Sequence, residues 1–194
     1  MTTEPTREEK ATRNKHQKPA TARQRRQGAE AEAYVRRILY QLPKRQFSIF
    51  NDIRAKYGNI DHLVINRHGK IFLIETKSHR GKVTYDGKHL CLNGKPFRKN
   101  PIAQVARNIK WLRTTIENTC GPTPWITGII VFTNASIYAS DGKKTQWMPV
   151  QQLAVLPQSS LIRTINWNDA KRQRQSRANG TTRVQHCYNA YERI

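Results

Sequence analysis

Apolar and polar positions recur along this chain with two periods, and the switches between them mark its elements. From Gly28 to Tyr40, the residues Ala31, Val35, Ile38 and Leu39 fall at helical spacing, and Pro43 stands beyond the helix end. Phe47–Ile53 reads as a strand. Two apolar runs, Ile60–Asn66 and Ile71–Ile74, flank Arg67-His68-Gly69, which predicts a strand, a tight turn and a second strand leaving at Glu75. Strand polarity continues at Lys82–Tyr85. Turn signals at Asp86-Gly87 and Asn93-Gly94 bracket His89–Leu92, so a small meander follows. Asn100 and Pro101 suit the cap and first position of a second helix, whose core face is Ile102, Val105, Ile109, Leu112 and Ile116. Gly121-Pro122 and Pro124 end it. Gly128–Thr133 is a continuous apolar run, hence a buried strand. Gln146–Met148 reads as a short edge strand, Val150–Val155 as a short helical segment, and Val184–Tyr191 as a further short helix. The order of helix, strands, helix and strand predicts an α/β domain with one mixed sheet and helices packed on it.

The hairpin at 60–77 carries acids where core strands carry apolar residues. If Arg67-His68-Gly69 is a three-residue loop with Gly69 left-handed, Asn66 pairs with Lys70, and counting outward puts Asp61 opposite Glu75. Directly opposed residues have Cβ atoms roughly 4.5–5.5 Å apart, and like charges there destabilise the pair. A divalent cation is the simplest compensation, and magnesium suits it because it takes carboxylate and water oxygens. Lys77 follows Glu75 by two, so both side chains leave the same face. A cation held there would polarise a phosphoryl oxygen and acidify a bound water, with the lysine a short reach away to orient that water or to neutralise the transition state.

Charge makes a phosphate partner the natural one. The 194 residues carry a net charge of +22, far more than solubility requires. A polyanion is expected, nucleic acid first and an acidic membrane surface second. Residues 1–27 form a basic segment with too few apolar residues to fold alone, although it lacks a strong breaker after Pro19 and can extend the next helix in part. A domain is expected over 28–156, and a flexible basic extension over 157–194. Arg80, Lys82, Lys95, Arg98 and Lys99, with Arg25 and Arg26 of the basic N-terminal segment, are the candidate contacts to a nucleic-acid backbone, whose binding falls steeply with salt. Cys91, Cys120 and Cys187 form no CxxC pair and read as free thiols of a reducing compartment. The sequence shows no apolar run of a signal peptide or of a membrane span, so a cytoplasmic protein without a membrane partner is expected.

These residues meet a family. Gly28-Ala29 followed by Glu32 and Val35, then Gly58-Asn59-Ile60-Asp61-His62-Leu63-Val64, then Ile74-Glu75-Thr76-Lys77, then Asn100-Pro101 with Gln104, resembles the nuclease-related domain, or NERD, family within the PD-(D/E)xK nucleases. The resemblance covers roughly residues 28–156. It implies a restriction-endonuclease-like core, a central mixed sheet flanked by helices. It implies a phosphodiesterase that uses Mg²⁺ or Mn²⁺, acting on DNA ahead of RNA, for which no aromatic RNA-binding motif is present. By the same resemblance Asp61 and Glu75 are metal ligands and Lys77 the catalytic lysine. Glu32 is the first-helix acid that binds or orients a second metal, and Gln104 orients the lysine or contacts a phosphate. The chain departs from the family where Ile60 replaces the usual proline, and where Ala31 replaces the glycine before the helix acid, which leaves Glu30 as a rival to Glu32. The competing reading is a nucleic-acid-binding module on a nuclease fold without turnover. A protein partner in DNA processing and the oligomeric state stay open.

Several polar residues have plainer readings. His62 points away from Asp61 by alternation and is expected to be packed. His79 and Arg80 either touch a phosphate or belong to a solvated loop. Asp52 reads as a surface acid, the alternative being a strand-end acid near the site, and His186-Cys187 lacks a partner pair for zinc. Trp111, Trp125, Trp147 and Trp167 are expected to pack in the core or at its edge.

Overall fold

The computed structural model describes residues 21–166 apart from Tyr57. The expected helix at Val184–Tyr191, the His186-Cys187 pair, Cys187, Trp167 and most of both basic segments lie outside the described residues. The first helix, α1 (Ala22–Leu39), starts earlier than Gly28 because Thr21 and Gln24 form a capping box. Thr21 Oγ1 accepts from Gln24 N at 3.2 Å, and Gln24 Oε1 accepts from Thr21 N at 2.9 Å. Arg23 to Gln27 are therefore helical, where the sequence suggests a tail. Beyond α1 come β1 (Phe47–Ile53), β2 (Ile60–Asn66), β3 (Ile71–Tyr85), β4 (Leu90–Leu92) and β5 (Lys95–Pro96). They are followed by α2 (Pro101–Cys120), β6 (Ile126–Tyr138), β7 (Lys144–Thr145), β8 (Met148–Val150) and β9 (Leu153–Pro157).

The strands form one mixed sheet in the order β1-β2-β3-β6-β9-β8, with β3, β6 and β9 parallel to their neighbours in the middle and antiparallel pairs outside them. The two faces of β3 explain the layers. Ile71 and Leu73 face Ile102, Val105, Leu112 and Ile116 of α2 in one buried cluster. Phe72 and Ile74 face Val35 and Leu39 of α1 in the other. The sheet is thus flanked by helices, which is the architecture the sequence implies. Among the described residues no helix is long and apolar enough to cross a membrane, and Cys91 and Cys120 are free.

Four elements differ from the sequence expectation. First, β3 does not end at Glu75. It runs on to Tyr85 beside β6, with an irregularity between Lys77 and Arg80. Gly81 follows that irregularity at φ 127°, and the Asn93 side chain fills the place a Cβ would occupy there. Asn93 Oδ1 accepts from Lys82 N at 2.8 Å, tying the far part of β3 to the β4–β5 hairpin. Second, Val150–Val155 is not helical. Gln151 turns the chain at φ 55°, and Leu153–Leu156 is a strand buried on both faces between β6 and β8. Third, the edge strand is Met148–Val150, and Trp147 just before it is half exposed, as is Trp125; neither packs as expected. Fourth, the fold continues past residue 156. Gln158–Ser160 is a 3-10 turn, 161–166 is helical, and Leu161 and Ile165 are fully buried beside α1.

Candidate active site and nucleic-acid groove

The hairpin register is the one the turn chemistry dictates. Asn66 N donates to Lys70 O at 3.0 Å, and Gly69 is left-handed at φ 73°. The pairs run from Ile65 opposite Ile71 to His62 opposite Ile74. The recorded pairing stops there, and counted one step further outward it brings Asp61 level with Glu75. Both therefore leave the face of the sheet that α2 covers. Asp61 Oδ2 accepts from Thr76 N at 2.6 Å, which fixes its carboxylate against β3.

Glu75, Lys77 and Gln104 close a triangle. Glu75 is 3% exposed. Its Oε1 accepts from Lys77 Nζ at 2.6 Å and from Gln104 Nε2 at 2.7 Å. Lys77 Nζ also donates to Gln104 Oε1 at 3.2 Å. Gln104 is delivered by the first turn of α2, where Asn100 Oδ1 accepts from Ile102 N and Ala103 N at 3.0 and 3.3 Å. The second carboxylate oxygen, Glu75 Oε2, is buried and accepts no hydrogen bond. A buried carboxylate oxygen with nothing donating to it is costly unless a cation or a donor supplies the interaction.

The acids feel one another. Burial pushes the Asp61 carboxyl up to about 8, with Glu75 and then Glu32 adding to the rise against the Thr76 amide and Lys77. Glu32 is raised as well, by burial first and then by Glu75 and Asp52, against Arg36 and Lys77. Its rival Glu30 has a different setting. Glu30 is exposed and bonded to Arg26 at 2.8 Å, one helical turn away. The acids that raise one another around the hairpin are Asp61, Glu75 and Glu32, with Asp52 acting on Glu32 as well. Among the described residues no three His, Cys, Asp or Glu side chains are grouped so as to hold a metal ion.

Lys77 and Gln104 also line a groove of about 1510 Å³ between α1, the far part of β3, the β4–β5 hairpin and the start of α2. The groove brings together Arg80, Lys95, Arg98 and Lys99 with Lys77, against Glu30 as the acid in its lining. Among the described residues Arg25, Arg26 and Lys82 lie outside that lining. Lys82 sits over the Tyr138 ring at 4.4 Å, and Arg26 is held by Glu30. Asp61, Glu75 and Glu32 are not part of the lining, so the groove meets them through Lys77 and Gln104. Sequence reasoning missed Tyr34, Phe97, Thr133 and Asn134. Tyr34 is one position off the buried stripe of α1, a faint sign. Thr133 and Asn134 act on the backbone, donating to Lys77 O and Ser78 O at 3.5 and 3.4 Å across the irregular part of β3, which no sequence pattern announces.

His62 is packed as read, and Asp52 is exposed yet near enough to the acids to raise Glu32. His62 is fully buried on the α1 face, its Nδ1 2.7 Å from Asn51 Oδ1. Burial, helped by Arg36, lowers its pKa to about 4. Neutral His62 thus contributes stability that is present above the ordinary value of 6.5 and is lost as pH falls through 4. The full loss is about 3 kcal/mol. In urea titrations, the advantage of wild type over His62→Gln is expected to shrink by that order between pH 7 and pH 4; a constant gap would contradict it. Asp52 is exposed and accepts from Asn59 Nδ2 at 2.6 Å. His79 lies in the groove, edge to face with Phe97.

The nuclease-related domain family model matches residues 27–133. Among solved structures, the chain is similar to the crystal structure of a repair endonuclease from Pyrococcus abyssi, with 16% identity over 54% of this chain and 38% of that one and a TM-score of 0.33. It is also similar to a chain in the structure of an EndoMS–dsDNA2 complex, with 14% identity over 63% of this chain and 41% of that one and a TM-score of 0.31. The chain thus spans well under half the length of either. No curated protein matches the sequence. The family match takes in more than half of the 194 residues, and the chain belongs to the nuclease-related domain family.

Proposed function

We propose that this protein is a divalent-metal-dependent nuclease that hydrolyses phosphodiester bonds in DNA. The observation that carries this reading is the Glu75–Lys77–Gln104 triangle, set opposite Asp61 and opening into a basic groove. Asp61 and Glu75 are the residues to hold Mg²⁺ or Mn²⁺, with Glu32 close enough in charge to bind or orient a second ion. The donor set fits. Glu75 Oε2 lacks a partner, burial and Glu75 raise the Asp61 carboxyl more than Lys77 lowers it, and magnesium needs only one or two carboxylates when water and phosphate complete its shell. Once bound, the ion supplies polarisation of a phosphoryl oxygen and a water of lowered pKa.

The chain's own groups do the rest. Lys77 Nζ stands at the groove surface beside the acids, where it can orient the attacking water or balance charge on the phosphate in the transition state. Gln104 holds both Lys77 and Glu75 Oε1, so it is a positioning residue. Arg80, Lys95, Arg98 and Lys99 grip the sugar-phosphate backbone without reading sequence. The test is a cleavage panel of linear, circular, single-stranded and branched DNA with Mg²⁺ or Mn²⁺. Cutting of at least one form, stopped by EDTA, is expected. Binding without cutting under both metals would instead mark a recognition module that has kept the fold.

A further inference from the structure

The groove holds apolar rings that phosphate binding alone does not require. Tyr34 of α1 lines it with 40% of its surface exposed. Arg37, one turn along α1, places its guanidinium carbon 5.6 Å from the centre of that ring. The same lining includes Phe97 and His79, edge to face with centroids 5.0 Å apart. A groove meant only for a duplex backbone is served by cations, since the bases of a duplex are stacked on one another. Cations beside the exposed Tyr34 ring, with Phe97 half-buried against the core, match a different chemistry. In an unpaired strand each base offers a free π-face beside a phosphate, and aromatic stacking with a basic track binds both. Arg80 and Lys95 supply that track here.

We propose that Tyr34 is a stacking platform for an unpaired base, so that the groove takes a single-stranded stretch of nucleic acid alongside the Lys77 site. The inference rests on the nuclease reading for its ligand class and is tested by binding, separately from cleavage. Fluorescence anisotropy in EDTA would compare a labelled oligothymidylate, an abasic oligomer of equal length and a blunt duplex. Tyr34→Ala is expected to lose about ten-fold in affinity for the oligothymidylate and to bind the abasic oligomer and the duplex as wild type does. Tyr34→Trp, which keeps a ring, is expected to restore the loss. Unchanged oligothymidylate affinity in Tyr34→Ala, an equal loss on all three ligands, or no restoration by tryptophan would overturn the proposal. Failure of wild type to cut any DNA with metal would remove the nuclease reading and leave this binding pattern standing.

Discussion

Lys77→Ala is expected to lower the cleavage rate by about 10²–10³-fold, the range seen when one preorganised transition-state donor is removed. DNA affinity should change little, because Arg80, Lys95, Arg98 and Lys99 remain in the groove. The substitution breaks two hydrogen bonds, to Glu75 Oε1 and to Gln104 Oε1. Gln104 still donates to Glu75, so the carboxylate keeps its place. Single-turnover cleavage at saturating protein, paired with anisotropy on the same DNA, separates the two effects. A rate loss matched by an equal affinity loss would make Lys77 only a phosphate anchor. Lys77→Arg should not restore the rate, since a planar fork cannot replace a point charge in that triangle.

Asp61→Asn is expected to stabilise the metal-free protein at neutral and alkaline pH while removing its activity. Asp61 in the fold holds its proton up to about 8, against an ordinary value of 3.8. A raised carboxyl contributes stability that is complete below the ordinary value and is lost as pH rises through the folded one. Wild type should therefore weaken relative to Asp61→Asn between about pH 4 and pH 8, by on the order of a few kcal/mol. The amide oxygen of asparagine can still accept from Thr76 N, so the backbone contact survives the change. Mg²⁺ should reverse the order, because an ion that binds only the folded wild type stabilises it by mass action. Urea titrations of both proteins at pH 5 and pH 8, with and without Mg²⁺, read all eight values. Equal stabilisation of both proteins by Mg²⁺ would place the ion elsewhere.

The hairpin was legible in the sequence because its controls are local. Gly69 sets the loop, the loop sets the register, and the period of two then places Asp61, Glu75 and Lys77 on one face. His62 followed from the same alternation. Asn100-Pro101 fixes where α2 begins, but Gln104 was singled out only by the family resemblance, and its bonds to Lys77 and Glu75 came with the packing of α2 on the sheet. Glu32 and Glu30 are both acids on one helix, and only the placement of α1 shows that Glu32 is the one that feels Glu75. Leu153–Leu156 misled because four consecutive apolar residues carry no period, and burial on both faces of a strand erases alternation. The stretch Ser78–Lys82 hid the continuation of β3 because its residues are polar and basic, and parallel pairing with β6 holds them in the sheet. The groove was least legible. It joins Tyr34 of α1 to Phe97 beyond β5, and nothing local in either segment points to the other.

The most direct test of the central claim, that Asp61 and Glu75 form one metal site serving Lys77, is cleavage of end-labelled DNA by wild type, Asp61→Asn and Glu75→Gln over a Mn²⁺ titration. Expected is cutting by wild type that rises with Mn²⁺ and stops with EDTA, and none by either variant while all three still bind the DNA. Cleavage by Asp61→Asn or Glu75→Gln at the wild-type rate, or cleavage that persists in EDTA, would contradict it.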